Sequence, residues 1–132
     1  MSTDTPSSQP TERNTRQREA IRTAIVQARR PLTTQEILDA ANAQVSGIGI
    51  ATVYRNIKAF LLSGDITLVS LPGDVPRYEM SGHDHHHHFH CKRCGRVFDV
   101  HHCPGELREL APPGFSVERH ELTLYGVCSN CQ

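Results

Sequence analysis

His83-Asp84-His85-His86-His87-His88-Phe89-His90-Cys91-Lys92-Arg93-Cys94 is the stretch on which the reading of this chain turns. Imidazole and thiolate are the usual nitrogen and sulfur ligands of zinc, and a Cys-x-x-Cys pair lets two thiolates of one tight turn reach one ion. A second pair, Cys128 and Cys131, closes the chain. Two such knuckles supply four sulfurs, the donor set of a closed structural zinc, so Cys91, Cys94, Cys128 and Cys131 are read as its ligands. The separation from residue 94 to residue 128 is too long for a compact ribbon, which makes the site a clamp holding a chain terminus onto a domain. A redox dithiol is the other chemistry open to a Cys-x-x-Cys pair.

The histidines admit blander readings. An engineered tag sits at a chain end, whereas this run is internal, broken by Asp84 and Phe89, and abuts the first cysteine pair. A disordered tract that stores metal loosely would have the same composition. Built sites need each ring to have a fixed direction, and an extended backbone supplies one. Successive side chains of a strand point to opposite faces, so His86 and His88 share one face while His85 and His87 share the other. Two sites back to back follow from that alternation.

The remainder of the chain bounds what those sites can serve. With 132 residues, 37% of them hydrophobic, there is material for one ordinary domain or two small ones, and no apolar run long enough to span a bilayer. Residues 1–12 open with Ser, Thr and Pro and no apolar segment, which reads as a disordered arm without a signal peptide. Five cysteines fit metal pairing better than disulfides, so a cytoplasmic location is expected, with only Cys103 left over. The formal net charge is zero, yet residues 1–63 carry eight Lys or Arg against five acids and residues 64–132 carry six against nine. A basic first half suits a polyanion such as DNA; an acidic, histidine-rich second half suits cations.

The first half reads as three helices and a hairpin. Asn14 to Arg29 carries Ile21, Ala24, Ile25 and Ala28 at helical spacing, with arginines at 13, 16, 18 and 22, and ends at Pro31. Thr33-Thr34-Gln35-Glu36 is a capping box that opens a second helix with Ile37, Leu38 and Ala41 on its buried face. After the turn Ser46-Gly47-Ile48-Gly49, a third helix begins near Ala51. Val53, Ile57, Phe60 and Leu61 form its core stripe and Gly64 ends it. Its other face offers Thr52, Tyr54, Arg55 and Asn56, the chemistry of a DNA recognition helix: arginine pairs bidentately with guanine, asparagine with adenine, and Tyr54 suits a phosphate or a thymine methyl. Ile66 to Leu71 and Val75 to Met80, joined by Pro72-Gly73-Asp74, read as a hairpin. Three helices plus a hairpin make a winged helix; a small helical domain with a solvated polar face is the alternative.

Gly49-Ile50-Ala51-Thr52-Val53-Tyr54-Arg55, then Arg77-Tyr78-Glu79, the histidine run, Cys91-Lys92-Arg93-Cys94-Gly95 and Leu124-Tyr125-Gly126-Val127-Cys128 together resemble the ferric uptake regulator (Fur) family, in order and at similar spacing. The resemblance implies an α+β chain: an N-terminal winged helix-turn-helix DNA-binding domain over residues 13–81, then a small α/β dimerisation domain over residues 82–132 that carries the four-cysteine zinc site. It implies a homodimer that binds double-stranded operator DNA, with no membrane and no small-molecule substrate among its partners. Arg96 to Val100 and Phe115 to Tyr125 read as strands of the second domain, the latter long enough to pair across a dimer, with Pro104 to Ala111 as a helix between them.

By position, the resemblance carries Glu79, His86, His88 and Asp99 onto the family's regulatory metal site at the junction of the two domains. It carries His85, His87, Glu106 and His120 onto a second metal site inside the dimerisation domain. Both sets obey the alternation deduced from the extended run. Many iron- and peroxide-responsive members have a further histidine ligand just before the second helix, where this chain has Pro31. Four remaining N and O ligands suit tetrahedral Zn2+ better than the higher coordination favoured by Fe2+ or Mn2+, although His83 or Cys103 could restore a ligand. The expectation is therefore the zinc uptake regulator branch, repressing metal-uptake genes when loaded, with iron, manganese or peroxide sensing as the alternative. A catalytic zinc enzyme is disfavoured by the absence of an H-E-x-x-H helix and of a nucleophile beside a base, and a metal buffer would have no use for a recognition helix.

Overall fold

The structure, a computed structural model, describes residues 10–82, 86–103, 105 and 107–132. Two compact units divide the chain, Met1–Ser81 and Gly82–Gln132. In the first, α1 spans Pro10–Ala28, β1 Leu32–Thr33, α2 Thr34–Gln44, α3 Ile50–Ser63, β2 Ile66–Val69 and β3 Arg77–Met80. The first helix starts four residues before Asn14, so residues 10–12 of the expected arm are helical, and residues 1–9 lie outside the described residues. Helical periodicity sets where a helix can bury a face; it does not mark where a polar first turn begins.

The apolar stripes of the three helices meet in one core of Ala20, Ile21, Ala24, Ile25, Ile37, Ala41, Val53, Ile57 and Phe60, joined by Leu32, Ile48 and Ile66 from the connecting segments. Ala28 and Leu38 pack against it only partly buried, and Leu61, expected in the stripe, is exposed. The helix ends follow local chemistry. Thr33 Oγ1 accepts from the Glu36 amide at 3.1 Å while Glu36 Oε1 accepts from the Thr33 amide at 3.0 Å, the reciprocal pair of a capping box. At the far end of α3, Gly64 adopts φ 83°, a left-handed conformation that a Cβ would strain. Asn42 holds the turn between α2 and α3 by two bonds to the backbone of Ile48, at 2.8 and 3.0 Å.

The strands of this unit run in the order β1-β3-β2, all antiparallel, with Leu32 opposite Tyr78 and Thr67 opposite Glu79. Residues 66–69 and 77–80 thus form the two-stranded wing, shorter at both turn-side ends than the hairpin read from the sequence. Arg77 is buried and fastens the wing to the helices: its Nε donates to Asp74 Oδ2 at 2.6 Å and its Nη1 to Glu36 Oε1 at 3.3 Å. Arg30 adds a second ion pair to Glu36, Nη2 to Oε2 at 3.0 Å. Burial pushes the Glu36 carboxyl up, but the Thr33 amide, Arg30 and Arg77 outweigh it and hold the group below its ordinary value.

The second unit is a three-stranded sheet of β4 (His87–Cys91), β5 (Val97–Val100) and β6 (Thr123–Gly126) in the order β5-β4-β6, with β4 antiparallel to β5 and parallel to β6. Gly126 lies against the ring of Phe89, where a Cβ would come within 3.1 Å of the Phe89 Cζ. Two expectations fail here. The helix expected over residues 104–111 is a single 3-10 turn at Arg108–Leu110 among the described residues; Pro112 forces Ala111 into an extended conformation, φ −83° and ψ 153°, and Leu110 is 79% exposed, so no apolar face pays for a longer helix. The strand expected from Phe115 is confined to Thr123–Gly126, because β4 offers its described pairing only from His88 opposite Thr123 onward and residues 115–122 have no described ladder partner.

Replacing Thr33 with Ala removes one half of the capping box and is expected to cost about 1 kcal/mol of stability in denaturant unfolding. Because the folded-state carboxyl of Glu36 lies below its ordinary value, its contribution is present at neutral pH and is lost as the pH falls through the acid range. Thr33→Ala and Glu36→Gln are therefore expected to differ from the parent most near neutrality, with the gap narrowing at low pH.

Candidate metal centres and nucleic-acid interface

The two cysteine knuckles converge. Cys91 ends β4, and the turn that follows closes with Gly95 N–H on the Cys91 carbonyl at 3.0 Å; Cys128 to Cys131 form a second turn closed by Cys131 N–H on the Cys128 carbonyl at 3.0 Å. One sulfur from each of Cys91, Cys94, Cys128 and Cys131 lies within 4.8 Å of every other. Cys94 Sγ and Cys128 Sγ stand 3.9 Å apart, against an edge of about 3.8 Å for four sulfurs placed tetrahedrally at 2.3 Å from zinc. The Cys94 and Cys128 amides both point at Cys91 Sγ, at 3.4 and 3.3 Å, and hold that thiol down to about 5. Cys131 is pushed up to about 12, chiefly by its hydrogen bond with Cys128, since a further thiolate beside the first is opposed. Four thiols brought this close are a donor set that a divalent thiophilic cation completes. Arg93 Nη1 also donates to the Cys131 carbonyl at 2.6 Å, tying the first knuckle to the second.

The strand alternation separates the histidines. His88 pairs directly across the sheet from Asp99 of β5, so the two side chains share a face. Asp99 Oδ1 lies 3.2 Å from His86 Nε2 and 3.5 Å from His88 Nε2, and the two rings meet edge-on with centroids 5.0 Å apart. Oxygen and nitrogen around one small cation at about 2.0 to 2.2 Å stand roughly 3.4 Å apart, so this trio has the dimensions of a metal site. Glu79, the fourth expected member, belongs to the other unit, where it is buried on β3.

The opposite face carries a different set. His87 is 2% exposed, and its ring stacks at a 32° tilt on His120, centroids 5.0 Å apart. His87 Nε2 and His120 Nε2 each lie 3.4 Å from Cys103 Sγ. His85 and Glu106, expected here, and His83 lie outside the described residues. Cys103, left open by the sequence as a further ligand, stands beside His87 and His120. Its position after a His-His pair and before Pro104-Gly105 carries no periodicity that assigns it a face.

In the first unit, the polar face of α3 presents Tyr54 and Arg55 exposed and Thr52 and Asn56 half-buried. Arg55 Nη2 donates to Thr52 Oγ1 at 3.1 Å, and the Asn56 amide donates to its own helix at the Thr52 carbonyl, 2.9 Å away. Three members of the expected quartet, Thr52, Arg55 and Asn56, line an open groove of about 370 Å³ whose other wall is Thr11, Asn14, Thr15 and Arg18 of α1. The α1 wall of this groove lies outside the α3 face expected from the sequence. No described helix is long and apolar enough to cross a membrane.

Comparison with known proteins places this arrangement. The pattern of the ferric uptake regulator family matches residues 10–125. The peroxide operon regulator of Bacillus subtilis is 34% identical over 123 residues, covering 90% of this chain and 83% of that protein. The ferric uptake regulation protein of Bordetella parapertussis is 35% identical over 106 residues, covering 78% of this chain and 76% of that one. Among solved structures, a zinc-bound manganese uptake regulator superposes with a TM-score of 0.74 at 28% identity, covering 85% of this chain and 87% of its own.

Structural zinc contributes folding energy directly, on the order of 10 kcal/mol in small zinc domains. Cys94→Ser is expected to lose the cysteine-bound zinc and to lower the melting temperature sharply. Metal analysis and calorimetry check this, and a variant with full zinc content and unchanged melting would remove the four-sulfur site.

Proposed function

The chain belongs to the ferric uptake regulator family, a family of metal-responsive transcription regulators rather than enzymes, and from this premise we propose that it is a homodimeric repressor of metal-uptake genes. Family members bind operator DNA as dimers. The proposed switch is an ion held by His86, His88 and Asp99 together with Glu79 from the wing strand. The observation that carries this reading is the cluster of two imidazoles and a carboxylate at metal-site spacing on one face of β4. An ion that also engaged Glu79 would restrain the wing-bearing unit against the sheet unit and so set how far apart two recognition helices stand in a dimer. Half-sites one turn of B-DNA apart need helices about 34 to 36 Å apart, so a loose connection costs affinity and a restrained one restores it. Thr52, Tyr54, Arg55 and Asn56 are the proposed DNA contacts. Arg55 is the base reader among them, because Asn56 is engaged by its own helix.

The identity of the ion is the finer part of the proposal. The relatives above, a peroxide operon regulator and a ferric uptake regulation protein, support an iron-, manganese- or peroxide-responsive regulator ahead of the zinc-uptake reading drawn from the sequence. One observation keeps zinc as the second reading. Neither Pro31 nor its neighbour Arg30 offers a ligand before α2, and Arg30 is engaged with Glu36, which leaves four N and O donors. Titrating metal-depleted protein with Fe2+, Mn2+ and Zn2+ while following operator binding decides between them. Activation by Fe2+ or Mn2+ at free concentrations where Zn2+ is inert upholds the first reading, and the reverse result replaces it with the second.

Substituting His86 and His88 together with Ala is expected to abolish metal-dependent DNA binding while the cysteine zinc stays bound. Substituting His85 and His87 is expected to lower the melting temperature more than it alters switching. Indistinguishable profiles for the two double variants, measured by metal content, melting and operator affinity, are what a disordered storage tract would give and would end the two-face reading. Arg55→Ala is expected to cost about 1 to 3 kcal/mol of operator affinity at unchanged metal content.

A further inference from the structure

The face of β4 turned away from His86 and His88 brings together a donor set different in kind from theirs. Cys103 Sγ lies 3.4 Å from both His87 Nε2 and His120 Nε2. Around a tetrahedral ion with a sulfur at about 2.3 Å and nitrogens at 2.0 to 2.1 Å, a sulfur–nitrogen edge is about 3.5 Å, so both observed separations are edges of one coordination polyhedron. One strand and two connecting segments hold these atoms independently. His87 is fixed by the β4 ladder, opposite Val100, and is buried; His120 precedes β6; Cys103 follows β5. A thiolate and two neutral imidazoles can all direct lone pairs at one cation.

We propose that His87, Cys103 and His120 form a thiolate-containing metal site, with Cys103 as the ligand that selects thiophilic cations such as zinc over manganese and magnesium. The assignment rests on the family reading and refines the second metal site which that resemblance implies, giving it a soft sulfur donor where the histidine and carboxylate set had only nitrogen and oxygen. Soft ligands discriminate against oxygen-seeking cations, which stacked imidazoles and carboxylates do only weakly. One sheet then carries a nitrogen-oxygen site on one face and a nitrogen-sulfur site on the other. A thiophilic ion entering this unit has a place to settle other than His86, His88 and Asp99.

The test uses full-length protein whose four-cysteine site retains zinc, titrated with cobalt(II) in the absence of DNA. Of the candidate sites outside the four-cysteine centre, only that of Cys103 offers sulfur, so a thiolate-to-cobalt charge-transfer band that develops without zinc release reports it. The band is expected in the parent and in the His86→Ala/His88→Ala variant and is expected to vanish in Cys103→Ser. Loss of a direct ligand is expected to weaken zinc at this site by more than the roughly 10- to 100-fold that loss of an outer hydrogen-bond partner costs. Cys103→Asp is expected to bind without the band and to shift its preference toward manganese. In the parent, one equivalent of added zinc is expected to protect Cys103 from iodoacetamide. No band in the parent, a band that survives Cys103→Ser, or a Cys103 thiol that alkylates equally with and without zinc overturns the proposal. Retained cysteine zinc and an unchanged melting temperature of metal-depleted Cys103→Ser separate ligand loss from misfolding. Failure here leaves the regulatory reading at His86, His88 and Asp99 standing, because that reading is tested by operator binding.

Discussion

The hydrogen-bond ladders on both edges of β4 are the constraint from which the metal chemistry of this chain follows. A strand paired on one side can twist or slip; β4 is paired antiparallel to β5 and parallel to β6, so each of its side chains has one direction. His88 is therefore held opposite Asp99, and His87 is held on the reverse face toward His120. A slip of one residue would exchange the two faces and scramble both donor sets. Cys91 ends the same strand, with its amide on the Arg96 carbonyl at 2.9 Å and its sulfur accepting from the Cys94 and Cys128 amides. The four-sulfur cluster thus sits at the end of the strand whose histidines belong to the other two candidate donor sets.

Three donor sets of graded softness result within one small unit: four sulfurs, two nitrogens with a sulfur, and two nitrogens with a carboxylate. First-row divalent cations follow a common affinity order at almost any site, so a protein that must tell them apart relies on donor type and geometry rather than on raw affinity. A sulfur-rich centre takes zinc and keeps it. A nitrogen-oxygen cluster binds more loosely and over a wider range of ions, which is the property a reversible switch requires.

The first unit is organised by a carboxylate instead of a metal. Glu36 closes the capping box of α2, pairs with Arg30, and receives the buried Arg77 of the wing strand. One side chain thereby couples a helix start, the segment before it and the hairpin behind it. Breaking a partly buried network of this kind leaves the remaining charges uncompensated, so its members act together rather than singly. The consequence for DNA is positional: with α2 and the wing fastened, and Asn42 holding the turn into α3, the polar face of α3 and the start of α1 border one groove.

Local chemistry was legible in the order of residues alone. Thr33 with Glu36, the left-handed Gly64, the two Cys-x-x-Cys turns and the separation of His86 and His88 from His87 each depend on atoms a few positions apart and are found in the structure. What the sequence did not decide was where these particular segments find a partner distant in the chain. Residues 115–122 alternate like a strand, but a strand exists only where another backbone offers hydrogen bonds, and β4 offers them from the Leu122 carbonyl onward. Residues 107–111 have helical composition, but Leu110 finds nothing to pack against and Pro112 bars the next turn. Cys103 looked like a leftover because it stands outside both Cys-x-x-Cys pairs. Only the folding of β4, β5 and the segment before β6 onto one sheet brings its sulfur to His87 and His120, since imidazole and thiolate meet through tertiary packing and not through spacing.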